Sequence, residues 1–330
     1  MHKIVLLQNN EITKRVFSEK DLKQLKALGE AVVNTEAKDP DVSRAKELMR
    51  DADIVITSWG CPRLDGDILK AAPRLKLVLH AAGSVKGIVS AELREKRIRV
   101  SSSAEPLGKG VAETALGLTV ISLKHIWQLS ENTRQGEWNK DKDKVRELFG
   151  ITVGVIGAGR VGRNYIRLLK NFDVDILLYD PTVTEEEAKI LGVEKTGLET
   201  LMERSDVVSI HAPSIPETDK MINQERLARM KDHAVLINTA RGSVVDEAAL
   251  VKELSKGRLF ACLDVTEPEP PASDHAFRSL PNVILTPHIA GAVNNGMLRI
   301  GKYVVEELQR YLEGKPMDGE VDLSRLDILA

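Results

Sequence analysis

Residues 151–180 read ITVGVIGAGRVGRNYIRLLKNFDVDILLYD. The stretch opens with an apolar, β-branched run at residues 151–156, which is typical of a buried parallel strand. Apolar residues then recur at helical spacing over residues 160–170, and a second apolar run at residues 174–179 predicts another strand. The order strand, turn, helix, strand predicts a βαβ unit.

Three glycines lie in the turn of this unit, at the spacing G-x-G-x-x-G. Gly157 lets the chain turn tightly, Gly159 leaves room for a pyrophosphate beside the backbone, and Gly162 lets the helix pack closely on the sheet. The start of the helix offers backbone N–H groups and a positive dipole end to phosphates. Asp180 ends the second strand, close to the ~20 residues at which an acid binds the ribose hydroxyls. The pattern favours a dinucleotide site over a tight turn without a ligand.

Length and composition narrow the possible classes of protein. A chain of 330 residues suits two domains. The 47 basic residues nearly balance the 49 acidic ones, which argues against nucleic acid as the main partner. No apolar run approaches a membrane span, and the apolar residues near the start are too few for a signal peptide. Cys61 and Cys262 lack the spacing of metal ligands or of a disulfide framework, so we expect no metal site and a reducing cytoplasm.

The first hundred residues alternate between strand and helix patterns. Strands are predicted at 3–7, 53–57, 75–80 and 98–101, and helices at 18–28, 42–50, 64–71 and 91–96. The alternation predicts a small parallel α/β unit. No glycine-rich loop follows its first strand, so this unit is not an obvious nucleotide binder.

The segment between the two α/β regions contains Pro106, Gly108 and Gly110, and we interpret residues 104–110 as a linker or hinge. A long apolar helix is predicted at 111–134. It is apolar on several sides, so it is expected to be buried inside the monomer or against a second subunit.

The alternation resumes after the glycine-containing unit. Strands are predicted at 207–210, 235–238, 261–264 and 283–286, and helices at 198–203, 225–230 and 247–256. Together with the two strands of residues 151–180 this makes six, the number in a full doubly wound dinucleotide fold. A further helical pattern at 292–314 leads out of this domain.

Ionisable side chains follow the later strands, where an open parallel sheet binds its ligands. Arg241 offers a planar fork suited to a carboxylate. His288 can exchange a proton near neutral pH, and Glu269 could hold it in one tautomer. His211 and Asp264 also follow strands. Taken singly, each residue is more often a cap or a surface group, but their joint occurrence favours a catalytic site.

Five motifs resemble those of the D-isomer-specific 2-hydroxyacid dehydrogenase family: VGVIGAGRVGR, HAP with PET after it, INTARGSVVDEAAL, LDVTEPEP and TPHIAG. The resemblance is close over residues 148–291. It implies a Rossmann-type doubly wound parallel sheet in an NAD-binding domain, residues 103–294. It also implies a smaller flavodoxin-like α/β domain that binds the substrate, residues 1–102 and 295–330. Hinges would lie near 101–110 and 291–296.

The resemblance also implies roles for individual residues. Arg241, Glu269 and His288 resemble the catalytic residues. The substrate would be bound by Gly83, Ser84, Arg241 and His288. The NAD site would comprise Gly157, Gly159, Arg160, Val161, Gly162, Asp180, His211, Ala212, Pro213, Thr239, Ala240, Asp264 and His288, with no metal ligand.

One loop departs from the family pattern. The family usually has G-V-D-N-I-D, whereas residues 83–89 read GSVKGIV, so that Lys86 replaces the acid. A lysine facing the substrate would favour an acid with additional negative charge. The alternative is a solvated lysine that points away.

The predicted function is NAD-dependent hydride transfer to or from a small 2-hydroxy or 2-oxo acid, in a cytoplasmic homodimer formed through residues 111–134. One alternative is a non-catalytic, NAD-sensing protein that resembles the corepressors with this fold. Another is a dehydrogenase of a different small anion, such as phosphite. Formate enzymes carry Gln at the position of Glu269, so Glu269 argues against formate. The preferred acid stays open.

Overall fold

The computed structural model describes residues 1–328. The chain divides into two compact units: unit 1, Met1–Leu107 with Ala292–Ala330, and unit 2, Gly108–Gly291. These bounds differ by a few residues from the predicted division at 102 and 295. Each unit has its own parallel sheet.

Unit 1 has a five-stranded sheet in the order β2-β1-β3-β4-β5. This is the flavodoxin-like order, whose switch point lies between the first and third strands. The middle strands are buried on both faces because helices cover both, so alternate residues enter two separate cores. The strands are β1 Lys3–Leu6, β2 Glu30–Val33, β3 Ile54–Thr57, β4 Leu77–His80 and β5 Arg99–Ser102, and the helices are α1 Asn10–Val16, α2 Glu19–Leu28, α3 Val42–Leu48, α4 Gly66–Ala71 and α5 Ala91–Glu95.

Unit 2 has a seven-stranded sheet in the order β12-β11-β10-β9-β6-β7-β8. The strand order reverses between β6 and β9, as in a doubly wound dinucleotide fold. Its strands are β6 Phe149–Ile156, β7 Asp173–Tyr179, β8 Glu194–Lys195, β9 Val207–Ile210, β10 Val235–Asn238, β11 Phe260–Leu263 and β12 Val283–Leu285. After the five helices of unit 1, the chain continues with α6 Ala104–Leu123, α7 Ile126–Arg134, α8 Arg160–Leu169, α9 Glu185–Leu191, α10 Leu198–Arg204, α11 Gln224–Arg229 and α12 Glu247–Leu254. The last α-helix, α13 Met297–Leu312, belongs to unit 1. The predicted fold class, a Rossmann-type sheet with a smaller α/β domain, is confirmed.

Several local predictions were wrong. Residues 104–110 are not a loop, because α6 already begins at Ala104. Pro106 is tolerated there because the N–H groups of a first helical turn need no intrahelical acceptor. The predicted helix over 111–134 is interrupted at His125, which adopts φ +48. The sheet of unit 2 has a seventh strand, β8, of only two residues.

None of the described helices is both long enough and apolar enough to cross a lipid bilayer.

Candidate active site

The glycine loop lies between β6 and α8, and its backbone explains each glycine. Gly157 has φ +94, and a Cβ on it would lie 2.8 Å from the carbonyl carbon of His211. A Cβ on Gly162 would lie 2.0 Å from the oxygen of Gly157, so only glycine fits. A Cβ on Gly159 would have no atom within 4 Å, which leaves open space beside the residue that caps α8.

Asp180 follows β7 and folds back onto the glycine loop. Its Oδ2 accepts a hydrogen bond from the Ala158 amide at 2.7 Å. Its Oδ1 accepts bonds from the amide and the hydroxyl of Thr182, at 2.8 and 2.7 Å. These bonds fix the carboxylate at the carboxyl end of β7, next to the loop.

Buried polar atoms without a hydrogen-bond partner indicate whether this edge of the sheet fits a dinucleotide. His211 and Thr239 follow β9 and β10, which are paired in register through Ile210 and Asn238. His211 Nδ1 and Thr239 Oγ1 are both buried and have no hydrogen-bond partner within the described residues. Buried polar atoms of this kind require an explanation, such as a ligand or an ordered water. Together with the open space at Gly159, they fit a polar ligand along this edge of the sheet.

Arg241 lies in a turn that Asn238 organises. Asn238 ends β10, is buried, and donates from Nδ2 to the Arg241 carbonyl at 2.8 Å. Its Oδ1 accepts a bond from the Ala240 amide at 3.0 Å. The Arg241 side chain is exposed, and its Nη1 donates to the Ala240 carbonyl at 2.6 Å. The guanidinium is therefore presented to solvent by a fixed backbone turn.

The next residue connects this turn to the segment that carries Glu269. A Cβ on Gly242 would lie 2.2 Å from the carbonyl carbon of Thr266. The two backbones therefore touch with no side chain between them. In the second segment, the Thr266 hydroxyl donates to the Pro268 carbonyl at 2.9 Å, and its amide donates to Glu269 Oε1 at 3.3 Å.

Asp264 holds the loop that carries His288. Its carboxylate is 1% exposed and accepts bonds from the Thr286 hydroxyl at 2.6 Å, the Ile289 amide at 2.9 Å and the Ala290 amide at 2.8 Å. The His288 amide donates to the Asp264 carbonyl at 3.0 Å. His288 itself has φ +51, a left-handed conformation that residues other than glycine seldom adopt. The bonds on both sides of His288 hold it in this conformation.

His288 and Glu269 form a pair. His288 Nδ1 lies 2.8 Å from Glu269 Oε2, and both side chains are partly open to solvent, 51% and 38% exposed. A carboxylate bonded to Nδ1 fixes which nitrogen carries the proton and leaves Nε2 to act on a substrate. The arrangement is that of an oriented general acid and base.

Gly83, Ser84 and Lys86 lie in unit 1, after β4. A Cβ on Gly83 would lie 3.3 Å from Leu107, Ser84 is exposed, and Lys86 is half-buried. Beneath them, His80 is buried, with Nδ1 2.9 Å from the Thr57 hydroxyl. Burial lowers the pKa of His80 to about 4.

The remaining predicted residues also occupy the carboxyl edge of the unit 2 sheet. Arg160 and Val161 open α8, and Ala212, Pro213 and Ala240 follow β9 and β10. Sequence reasoning missed the positioning residues, among them Asn238 and Thr286. The available signal was a polar residue at the end of an otherwise apolar strand, as in VLIN of β10.

The chain is similar to known proteins over most of its length. The profile described as "D-isomer specific 2-hydroxyacid dehydrogenase, NAD binding domain" matches residues 116–290. A glyoxylate reductase of Thermofilum pendens is 37% identical over 309 residues, which cover 91% of each chain. A D-3-phosphoglycerate dehydrogenase of Methanocaldococcus jannaschii is 33% identical over 85% of this chain but 53% of its own, so the chain spans about half the length of that relative. The crystal structure of the TT0316 protein from Thermus thermophilus has a TM-score of 0.74 and 30% identity, covering 97% of this chain and 100% of that one.

The matched profile includes the glycine loop, Asp180, and the Arg241, Glu269 and His288 segments. The full-length similarity to the glyoxylate reductase extends through both units. The protein belongs to the D-isomer specific 2-hydroxyacid dehydrogenase family, and residues 116–290 match the NAD-binding domain of that family.

Proposed function

We propose that the protein is an NAD-dependent dehydrogenase that interconverts a small 2-oxo acid and its D-2-hydroxy acid. The observation that carries the proposal is the oriented His288–Glu269 pair, 2.8 Å apart, on the same sheet edge as the exposed Arg241. When bound, the nicotinamide supplies or accepts the hydride. The protein has to bind the carboxylate, polarise the carbonyl and move one proton.

Three side chains perform these tasks. Arg241 binds the substrate carboxylate through its planar fork and polarises the neighbouring carbonyl. In reduction, protonated His288 donates the proton on Nε2 to the forming hydroxyl, and in oxidation neutral His288 removes it. Glu269 holds the ring through Nδ1 and stabilises its charged form. The backbone N–H groups of Gly83 and Ser84 are proposed to bind the substrate from unit 1.

The residues proposed to hold NAD follow the order of the strands. The pyrophosphate would lie at Gly159, with Gly157, Arg160, Val161 and Gly162 forming the rest of the loop. Asp180 would accept bonds from the ribose hydroxyls and repel a 2′-phosphate, which favours NAD over NADP. His211, Ala212, Pro213, Thr239, Ala240 and Asp264 would surround the nicotinamide half.

Reduction of a panel of 2-oxo acids tests the activity. Glyoxylate, hydroxypyruvate, pyruvate, oxaloacetate and 2-oxoglutarate are each supplied with NADH or NADPH, and loss of the reduced cofactor's absorbance is followed. We expect turnover of at least one acid and higher kcat/KM with NADH. Equal kcat/KM with both cofactors contradicts the role of Asp180. NADH binding without turnover of any acid favours the alternative of a non-catalytic, NAD-sensing protein. Turnover of phosphite with NAD favours the alternative of a phosphite dehydrogenase.

Lys86 is proposed to select for additional negative charge on the substrate. A Lys86→Met variant is compared with Lys96→Met, which removes an exposed lysine of the same unit. We expect only Lys86→Met to lower the ratio of kcat/KM for oxaloacetate to that for pyruvate. The expected factor is about fivefold, because a net attraction of about 1 kcal/mol between the ammonium group and the second carboxylate would be lost, and 1.4 kcal/mol corresponds to tenfold. An unchanged ratio assigns Lys86 to the solvated surface.

We also propose a cytoplasmic homodimer that uses the region 111–134. Ile126 and Trp127 on α7 are 49% and 47% exposed, and Trp138 and Phe149 nearby in the chain are 68% and 71% exposed. Apolar side chains left exposed in this number favour an interface. Both cysteines are free thiols, which fits a reducing compartment. Light scattering of the wild type and of Trp127→Glu tests the dimer, and a monomeric wild type contradicts it.

A further inference from the structure

A buried row of hydroxyl groups leads from α6 to His211. The Thr119 hydroxyl lies 2.8 Å from the Ala115 carbonyl and 2.6 Å from the Tyr165 hydroxyl. Burial raises the pKa of the Tyr165 phenol, and a hydrogen bond from Ser209 opposes that rise. Ser209 Oγ lies 3.0 Å from His211 Nε2. All these side chains lie in unit 2, and Thr119, Tyr165 and Ser209 are fully buried.

The direction of each bond follows from counting hydrogens, since a hydroxyl has one to donate. The Ala115 carbonyl can only accept, so it takes the hydrogen of Thr119. Thr119 must then accept from Tyr165, so Tyr165 has no hydrogen left and can only accept from Ser209. When Ser209 donates to Tyr165, it has no hydrogen left for His211, and Nε2 carries the proton and donates it to Ser209. This arrangement of the row corresponds to the Nε2–H tautomer of the ring.

This tautomer leaves Nδ1 as an acceptor only. His211 is 9% exposed, and Nδ1 has no hydrogen-bond partner among the described residues. Burial lowers the pKa of His211 to about 3, so a proton from solvent does not satisfy the nitrogen near neutral pH. The atom requires an external donor.

The position of His211 indicates what that donor is. His211 directly follows β9, which with β6 forms the switch point of the unit 2 sheet. A Cβ on Gly162 would lie 3.6 Å from the Cβ of His211, so this side chain leaves the backbone beside the glycine loop, and the centroid of its ring lies 5.1 Å from that of Tyr165 on α8. Asp180 lies on the β7 side, where the first nucleoside binds, and the second nucleoside passes over the β9 side of the switch point.

We propose that Thr119, Tyr165 and Ser209 are positioning residues that fix His211 as a hydrogen-bond acceptor for a hydroxyl or N–H group on the nicotinamide half of the dinucleotide. The proposal rests on the proposed function and adds a specific contact to it. A row of hydroxyls distant from the reacting atoms thus determines whether His211 Nδ1 accepts or donates a hydrogen bond to the cofactor.

The tautomer is measured directly on the protein without cofactor. Nitrogen NMR on ¹⁵N-histidine-labelled protein separates protonated from unprotonated ring nitrogens, and His211→Asn assigns the signals. We expect the wild type to carry the proton on Nε2. In Tyr165→Phe, Ser209 is released to donate to Nε2, so the proton moves to Nδ1. In Ser209→Ala neither nitrogen has a protein partner, and a mixture is expected. A wild type protonated on Nδ1, or a tautomer unchanged in both variants, overturns the proposal.

Cofactor affinity is the second readout, measured by the fluorescence of bound NADH. Tyr165→Phe is expected to weaken NADH binding about tenfold, and Ser209→Ala, which leaves a mixture of tautomers, about twofold. Tyr311→Phe removes a phenol from unit 1 and is expected to leave the affinity unchanged. An Nδ1 signal that does not move when NADH binds means that an internal water serves the atom, which overturns the contact. If the wild type binds no NADH, the proposed function fails, whereas the tautomer measurement still stands.

Discussion

Asp264→Asn tests whether the loop around His288 is held by one carboxylate. The wild-type carboxylate accepts three hydrogen bonds, from Thr286, Ile289 and Ala290, at 2.6–2.9 Å. Asparagine has one acceptor oxygen and places an NH₂ group in the position of the other. At least one loop amide therefore loses its acceptor and faces a second donor.

The expected magnitude follows from the burial of the site. A buried donor left without a partner costs about 1–3 kcal/mol, and the surviving bonds lose part of their charge assistance. We expect a total loss on the order of 3 kcal/mol, which lowers Tm by about 6–12 °C for a domain of this size. A loss of about 3 kcal/mol in the loop leaves His288 at its φ of +51 in roughly one molecule in 100, so kcat falls about 100-fold.

Steady-state kinetics, NADH fluorescence and thermal unfolding are measured together. The matched control is Asp206→Asn, because Asp206 precedes β9 at the opposite edge of the sheet and also accepts a backbone bond, from Thr152 at 3.0 Å. The control should lower Tm and leave kcat near the wild type. We expect the dissociation constant of NADH for Asp264→Asn to rise less than tenfold. If kcat stays within twofold of the wild type, or falls equally in both variants, Asp264 does not position His288.

Three further outcomes are expected. His288→Asn lowers kcat about 100-fold or more at nearly unchanged NADH affinity, because general acid–base help is worth that much; full turnover would show that the mechanism is wrong. Arg241→Ala raises KM and lowers kcat, and a change in KM alone would remove its role in polarising the carbonyl. Burial holds the pKa of His80 at about 4, below the ~6.5 of an unfolded histidine, so stability is complete above pH 6.5 and is lost towards pH 4. At pH 5 this histidine costs about 2 kcal/mol in urea unfolding, and a His80→Asn variant with the same pH dependence as the wild type would contradict that assignment.

The sequence predicted the strands of unit 2 well wherever an apolar run is bounded by polar residues. The strand β9 has the predicted bounds because four buried apolar or small residues lie between polar ones. The strand β8 was missed because Glu194 and Lys195 carry no strand pattern, and their pairing with β7 is made by the backbone. The start of α6 was missed because Pro106, Gly108 and Gly110 are typical of a turn. The helical pattern that begins at residue 111 was therefore not extended back to Ala104.

In the candidate site, too, some residues could be predicted from the sequence and others could not. His288 and Glu269 were predicted from their motifs, and the structure places them 2.8 Å apart. The residues that hold the site could not be predicted, because their roles depend on backbone turns. Asn238 acts through two bonds to its own turn, and Thr286 acts through a carboxylate 22 residues earlier in the chain. Neither role follows from residue type or spacing.

The contact between Gly242 and the Thr266 backbone has a consequence for protein engineering. A methyl group at position 242 would overlap the Thr266 carbonyl, so even an alanine there would displace the arginine turn and the glutamate segment at the same time. Libraries that vary this region would mostly yield inactive protein. Gly87, by contrast, has no atom within 4 Å of where a Cβ would lie. Variation of the proposed substrate loop therefore has room at Gly87 and at the exposed Ser84, whereas Val85, Ile88 and Val89 are buried.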